Sequence, residues 1–176
     1  ERFGVMLGEG AGMFVLENAA LARKRGARIH ARLRGYATLA DGYHLSSPEP
    51  EGRWEQRVME LALEQARLPR GADQVDAVVA HGTGTPVGDI AELGALNRIY
   101  GQRERALRVM SPKGNFGHPH GPAGALGLLA GLFSMQQGAL MPTAGTYDER
   151  ELMPEVGKLH AVIKSDRKST RLNSSH

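Results

Sequence analysis

Two short apolar runs constrain this chain more than anything else in it. Val75 to Ala80 and Leu107 to Met110 each stop abruptly at a loop of small and polar residues, and a stretch long enough for a helix follows each loop. Strands that alternate with helices in this way pair largely in parallel and are covered by those helices, so the pattern predicts a layered α/β architecture.

The other segments fit the same scheme. Trp54, Val58, Leu61, Ala62 and Leu68 fall near helical spacing among charged residues, which predicts an amphipathic helix over Trp54 to Ala66 packed on a sheet. Asp89 is the expected N-cap of a helix reaching Tyr100 and ending at Gly101. Ala19 to Arg25 reads as a short helix stopped by Gly26, and Met13 to Leu16 as a buried strand. Ala31 to Tyr36 and Leu159 to Ile163 are compatible with further strands, and Asp41 to Pro50 is a loop dense in turn formers. From Ala123 to Gln137 the chain is an apolar helix, shorter than the roughly 20 residues that a membrane span requires. Gly124, Gly127 and Gly131 each cost this helix about 1 kcal/mol relative to alanine, which makes sense where neighbours approach closely, as in a helix between two sheets.

Charge matters only once it is located. The 176 residues carry 22 Lys and Arg against 19 Asp and Glu, a balance that suggests a nucleic-acid partner only if the basic residues cluster. The last eleven residues, Asp166 to His176 (DRKSTRLNSSH), have no apolar periodicity and resemble the in-frame translation of a common sequencing-library adapter at every position. They are set aside from fold reasoning. Without Arg167, Lys168, Arg171 and Asp166 the balance becomes 19 against 18, and the argument for nucleic acid loses its basis. The chain has no cysteine, which excludes disulfides, thiolate zinc sites and a cysteine nucleophile within it, and fits a reducing, cytoplasmic setting. Glu1 opens without an initiator methionine or a leader peptide and reads as the interior of something longer.

Both strand-to-loop transitions present a histidine. The first gives His81 with Thr83 and Thr85, and the second gives Lys113 and His118. Ligand sites in α/β proteins lie beyond the carboxyl ends of strands, so both loops could open onto one cleft. Two imidazoles aimed at one point could donate hydrogen bonds to a developing oxyanion or enolate, and a lysine beside them would strengthen that field. Taken alone, a loop histidine is more often structural than catalytic, and His30, His44 and His160 are read so. The glycines from Gly8 to Gly12 precede an apolar run instead of linking strand to helix, which fits neither a dinucleotide nor a P-loop site. Zinc on His81, His118, His120 and Glu92 lacks any helix-spaced pair of ligands, and no metal is expected.

His81-Gly-Thr-Gly-Thr-Pro-Val-Gly-Asp89 followed by Glu92, and Lys113-Gly-Asn-Phe-Gly-His118 followed by Gly121 to Gly124, resemble the two motifs of the β-ketoacyl synthases. Gly8 to Gly12, Asp41 to Pro48 and Pro142-Thr143 resemble further stretches of that family in the same order, so the resemblance spans essentially Glu1 to Ser165. It implies a thiolase-like layered α-β-α-β-α fold, here incomplete. Residues 1–26 would end the first half, 27–165 would form most of the second half, and 166–176 would stand outside it. The implied reaction is decarboxylative Claisen condensation of an acyl thioester with malonyl on acyl carrier protein. It needs no cofactor beyond the carrier's phosphopantetheine, and the implied full-length enzyme is a homodimer or a ketosynthase heterodimer, binding neither nucleic acid nor membrane.

Carried over by motif, His81 and His118 donate to the malonyl thioester oxygen. Lys113 holds charge beside His118, Thr83 and Thr85 line the phosphopantetheine arm, and Glu92 orients Lys113 or the loop from behind. The alternative for Glu92 is a first-turn carboxylate favoured by the helix dipole. The nucleophilic cysteine and a glycine- and phenylalanine-containing loop belong to parts that this chain lacks, so the polypeptide alone is expected to be inactive. Gly127 stands where many fatty-acid-type members carry glutamate. The first motif is closer to the fatty-acid type, and Asn115 between Pro112 and Pro119 is closer to the polyketide type. The rival readings are a non-condensing relative, either a decarboxylating loader or a chain-length partner, a thiolase-type enzyme using coenzyme A, and a carrier-protein binding module without catalysis. A structural partner subunit would have no need of His81, Lys113 and His118.

Overall fold

The computed structural model describes residues 4–145 and 159–161. Strands β1 (Ala77–Val79), β2 (Arg108–Met110) and β3 (His160–Ala161) form a parallel sheet in that spatial order. Ala77 lies opposite Arg108, Val79 opposite Met110, and Val109 opposite Ala161. Parallel neighbours need crossovers, and the helices supply them: α3 (Pro86–Tyr100) joins β1 to β2, and α4 (Lys113–Phe116) and α5 (Ala123–Gln137) lie between β2 and β3. Before the sheet come α1 (Ala19–Lys24), α2 (Arg53–Ala66) and a single 3-10 turn at Gly71–Gln74.

The two-residue period of the strands sorts the core into two layers. Val78 and Val109 face α2 and α3, where Leu96, Tyr100, Leu107 and Leu159 are buried and Met59, Leu63, Leu93 and Ile99 close around them. Ala77, Val79 and Met110 face the other way, onto Ala130 of α5 and Leu140. Leu96 and Leu107 are wholly buried, which contributes about 1.5–3 kcal/mol for each.

Helix α2 is fastened at both ends. Buried Glu49 accepts the backbone N–H of Arg53 (3.0 Å) and of Glu51 (3.2 Å), doing from the preceding turn what the N-cap Gly52 cannot do with a side chain. These donors, led by the Arg53 N–H, hold the Glu49 carboxyl below the usual carboxylate range. Gly52, at φ +65°, lets the start of α2 sit directly on α3, since a Cβ there would lie 2.1 Å from the Ala91 carbonyl oxygen. Arg98 of α3 then donates to the carbonyls of Glu51 (2.6 Å) and Gly52 (3.1 Å).

Several expectations are corrected. Met13 to Leu16 is not a buried strand: Met13, Val15 and Leu16 are exposed, and the chain beside them lies along α5, with the Cβ position of Gly12 3.0 Å from Ala125. Ala31 to Tyr36 is not a strand either. Its backbone runs against α2, where Arg34 donates to the Ala66 carbonyl (3.1 Å) and the Tyr36 N–H donates to the Gln65 side chain. Helix α3 starts at Pro86, which needs no N–H at the first helical position, and not after Asp89. Asp89 lies within the first turn and accepts the Gly84 N–H (3.2 Å). The motif loop after Ser111 contains the short helix α4. In α5, the Cβ positions of Gly127 and Gly131 lie 3.7 and 3.4 Å from the Val79 side chain, whereas that of Gly124 has no described atom within 4 Å. These are ordinary van der Waals distances, so the contact with one sheet does not itself require glycine at either position, and no described backbone closes on the third. The expected strand to Ile163 is described only as β3, and residues 166–176 lie outside the described residues.

Two glycine substitutions should move stability in opposite directions. A Cβ on Gly35 would lie 2.0 Å from the Ala62 carbonyl oxygen, so Gly35→Ala should destabilise by about 1–3 kcal/mol or more. Gly124→Ala, in the open on a helix, should stabilise by about 0.5–1 kcal/mol. Urea unfolding of both variants of the chain checks the contrast, and equal effects would contradict it.

Candidate active site

Beyond the carboxyl end of β1 the chain turns through Gly82 (φ +43°) and Gly84 (φ +81°), both in the left-handed region that favours glycine. The turn is held by side chains from three other elements. Glu92 of α3 accepts the N–H of His81 (2.7 Å) on one oxygen and that of Gly82 (2.8 Å) on the other. Lys113 of α4 donates its Nζ to the His81 carbonyl, and Ser111, directly after β2, donates its hydroxyl to the Gly82 carbonyl (2.9 Å). All four backbone polar groups of His81 and Gly82 are therefore satisfied, and the His81 imidazole projects from a turn that cannot shift without breaking them. Ser111 is itself held by Thr143, whose hydroxyl accepts the Ser111 N–H (3.0 Å).

The second loop is braced by the start of the chain. His118 donates its N–H to the Met6 carbonyl (2.7 Å) and accepts the Gly8 N–H (3.1 Å), a parallel bridge between Leu7 and His118. Glycine is needed where the two segments meet, because a Cβ on Gly8 would lie 2.2 Å from the Phe116 carbonyl oxygen. The imidazole of His118 is fixed by its own loop: the backbone N–H of His120 donates to Nδ1 (3.1 Å). A nitrogen that accepts carries no proton, so neutral His118 presents Nε2–H.

The two imidazoles meet edge to face, with centroids 5.3 Å apart and planes at 89°. Their surroundings favour the neutral form. Loss of solvent lowers His81 below its ordinary value, with the Lys113 charge adding to it and Asp89 opposing. Loss of solvent likewise lowers His118, followed by Lys113, His120 and His81. Lys113 is itself lowered by burial, which Glu92 and Asp89 counter. Burial raises Glu92, while the N–H groups of Gly82 and His81 pull it back. The arrangement is two neutral N–H donors beside one cation, a set suited to an oxyanion.

Of the residues singled out from the sequence, His81, His118 and Lys113 converge. Thr83 and Thr85 share a hydrogen bond between their hydroxyls (2.9 Å) at the start of α3. Glu92 holds the loop through its backbone and is no first-turn carboxylate, standing two turns into α3. Among the described residues no three His, Asp or Glu side chains gather closely enough to hold a metal ion, and both Glu92 oxygens are taken up by backbone N–H groups. Ser111 and the ring of His120 were not anticipated in these places. The signal for Ser111 was its position, one residue beyond β2 and two short of Lys113.

The chain matches the family model described as beta-ketoacyl synthase, C-terminal domain, over residues 30–146. It is 37% identical over 142 residues to the 3-oxoacyl-[acyl-carrier-protein] synthase 2 of Staphylococcus aureus, covering 81% of this chain and 35% of that one. It is also 37% identical over 172 residues to the tetracenomycin polyketide synthase ketoacyl synthase alpha subunit of Streptomyces glaucescens, covering 98% of this chain and 40% of that one. The solved ishigamide ketosynthase/chain length factor superposes with a TM-score of 0.82 at 35% identity, over 94% of this chain and 39% of that one. This chain thus spans well under half the length of these relatives, and its fold is the thiolase-like fold of the ketosynthases in incomplete form. With its two motif histidines brought together at the carboxyl ends of parallel strands and two thirds of its length matched, the chain belongs to the β-ketoacyl synthase family through that family's C-terminal domain.

Proposed function

We propose that this chain carries the enolate-stabilising side of a condensing enzyme that joins an acyl group to malonyl on acyl carrier protein, in fatty-acid or polyketide synthesis. The observation that carries the reading is the edge-to-face pair His81 and His118 at 5.3 Å, with Lys113 tied to the same loop. The bond from the malonyl carbon to its carboxylate breaks, carbon dioxide leaves, and the electron pair moves toward the thioester oxygen. N–H groups of His81 and His118 donate to that oxygen as charge builds, a gain made mostly in the transition state. The resulting carbanion attacks an acyl thioester and expels its thiolate. That thiolate belongs to a residue outside this chain, which has no cysteine.

Within this reading Lys113 has two tasks: it holds the His81 carbonyl, and its charge adds to burial in keeping both imidazoles neutral. Thr83 and Thr85 offer hydroxyls to the phosphopantetheine arm that carries the malonyl group, and no further cofactor is invoked. Residues 27–165 form the second half of the enzyme and residues 1–26 the end of the first. The partners are acyl carrier protein and a second ketosynthase-type subunit. Among the described residues no helix is long and apolar enough to cross a membrane.

Three measurements test the proposal. The chain alone should not decarboxylate malonyl-carrier protein above the buffer rate, and turnover by it would sink the reading of an incomplete site. In the full-length protein, His118→Ala should lower decarboxylation by roughly a hundredfold or more while acylation of the nucleophile by an acyl-carrier substrate persists. Equal loss of both half-reactions would contradict the division of labour. Glu92→Gln leaves one of two N–H groups without an acceptor and should destabilise the protein by about 1–3 kcal/mol in urea unfolding, with decarboxylation reduced as the His81 turn loosens.

A further inference from the structure

His120 has no part in that chemistry, yet it touches His118 twice. Its N–H donates to Nδ1 at 3.1 Å, and its ring stacks on the His118 ring with centroids 4.6 Å apart and planes within 13°. It holds a left-handed conformation, φ +55°, which a residue with a Cβ adopts at a cost in strain. That turn closes with the Ala123 N–H donating to the His120 carbonyl (3.1 Å) and folds the His120 side chain back over His118. The N–H contact is available to any residue here except proline. The ring is not, so the stack needs its own account.

Two stacked imidazoles can both be neutral, but they resist both being charged. A second proton on His118 meets a geometric obstacle. His118 already carries its proton on Nε2, so a second must enter at Nδ1 and displace the His120 N–H. The ring of His120 is exposed. Lys113 of α4 and His81 of the β1–α3 turn already oppose a charge on His118 from other sides, with Asp89 and Glu92 of α3 acting on those two. The Met6 to Gly8 segment presents backbone to it.

We propose that His120 is a positioning residue for His118: its stacked ring fixes the rotation of the His118 imidazole, and its charge, once acquired, keeps His118 neutral with the proton on Nε2. Its use in catalysis rests on the enolate-stabilising role given to His118, but the effect on titration does not.

The test is an NMR titration of the full-length protein with labelled histidine, following His118 through the imidazole range in the parent, in His120→Phe and in His120→Asn. Phenylalanine retains a ring without the charge, and asparagine tolerates the left-handed backbone. The His118 midpoint should rise by about half a unit in His120→Phe, the scale expected for loss of one adjacent, partly solvated charge. A midpoint that stays in place or falls overturns the proposal. Should the phenylalanine variant fail to fold, the midpoint in His120→Asn decides by the same criterion. Malonyl decarboxylation by the parent, measured alongside, reports separately on the proposed function: its absence would remove that reading while leaving the titration result intact.

Discussion

The Glu92 carboxylate is the interaction on which the rest of the site depends. A parallel strand that ends at the edge of its sheet leaves the next backbone N–H groups without ladder partners, and a tight turn built on glycines has no side chains with which to satisfy them. Glu92 meets two of these donors at once, and it can do so because α3 starts early, at Pro86, and so brings its second turn back beside the end of β1. Lys113 and Ser111 take the matching carbonyls, which ties the turn after β1 to the segment after β2. Gly82 completes this closure, since a Cβ there would lie 2.7 Å from that of Ser111. Sheet, helix and second loop are thereby locked in one relative position, and the His81 ring inherits it.

His118 is positioned by a different means. Its backbone is bridged to Met6 and Gly8, far away in sequence, and its ring is set by a local closure of side-chain nitrogen on the N–H two residues ahead. The same closure occurs at His44, whose Nδ1 accepts the Ser46 N–H (3.1 Å), with no second ring meeting it among the described residues. What distinguishes His118 is therefore its setting, opposite His81 and beside Lys113, and not the local turn.

These features were legible in the sequence to very different degrees. Helix α2 could be read because its apolar residues repeat at helical spacing, α3 because Gly101 marks its end, α5 as an apolar run of helical length, and β1 and β2 as short apolar runs that stop at loops. Met13 to Leu16 misled because an apolar run predicts burial that this chain does not provide: Met13, Val15 and Leu16 are exposed, and the backbone finds no ladder partner among the described residues and lies along α5. Ala31 to Tyr36 misled because its hydrogen bonds go to the end of α2, and only the missing Cβ of Gly35 allows so close an approach. The motif histidines were legible as types at strand ends, whereas their edge-to-face meeting depends on sheet register. Glu92 was placed behind the site by resemblance. Its grip on two backbone N–H groups could not be read, because it depends on where α3 begins, and moving that start from Asp89 to Pro86 rotates every later side chain of the helix.

The electrostatic state of the pair also decides what kind of catalyst it can be. A donor that binds a negatively charged substrate as tightly as the transition state gains affinity and no rate. A charged imidazolium would attract the malonyl carboxylate, which is fully charged before reaction and is the group that must leave. A neutral N–H gives little to that carboxylate's net charge, but on the proposed reading it strengthens as negative charge collects on the thioester oxygen. Burial does most to keep the two imidazoles neutral side by side, and a nearby cation that is not itself aimed at the substrate adds to it. Lys113 is that cation through its bond to the His81 carbonyl: it stays close enough to lower both histidines while its Nζ is turned to the backbone. On the proposed reading, the lysine acts by setting the charge of its neighbours more than by meeting the substrate, and the rigidity of the Glu92 turn keeps that division in place.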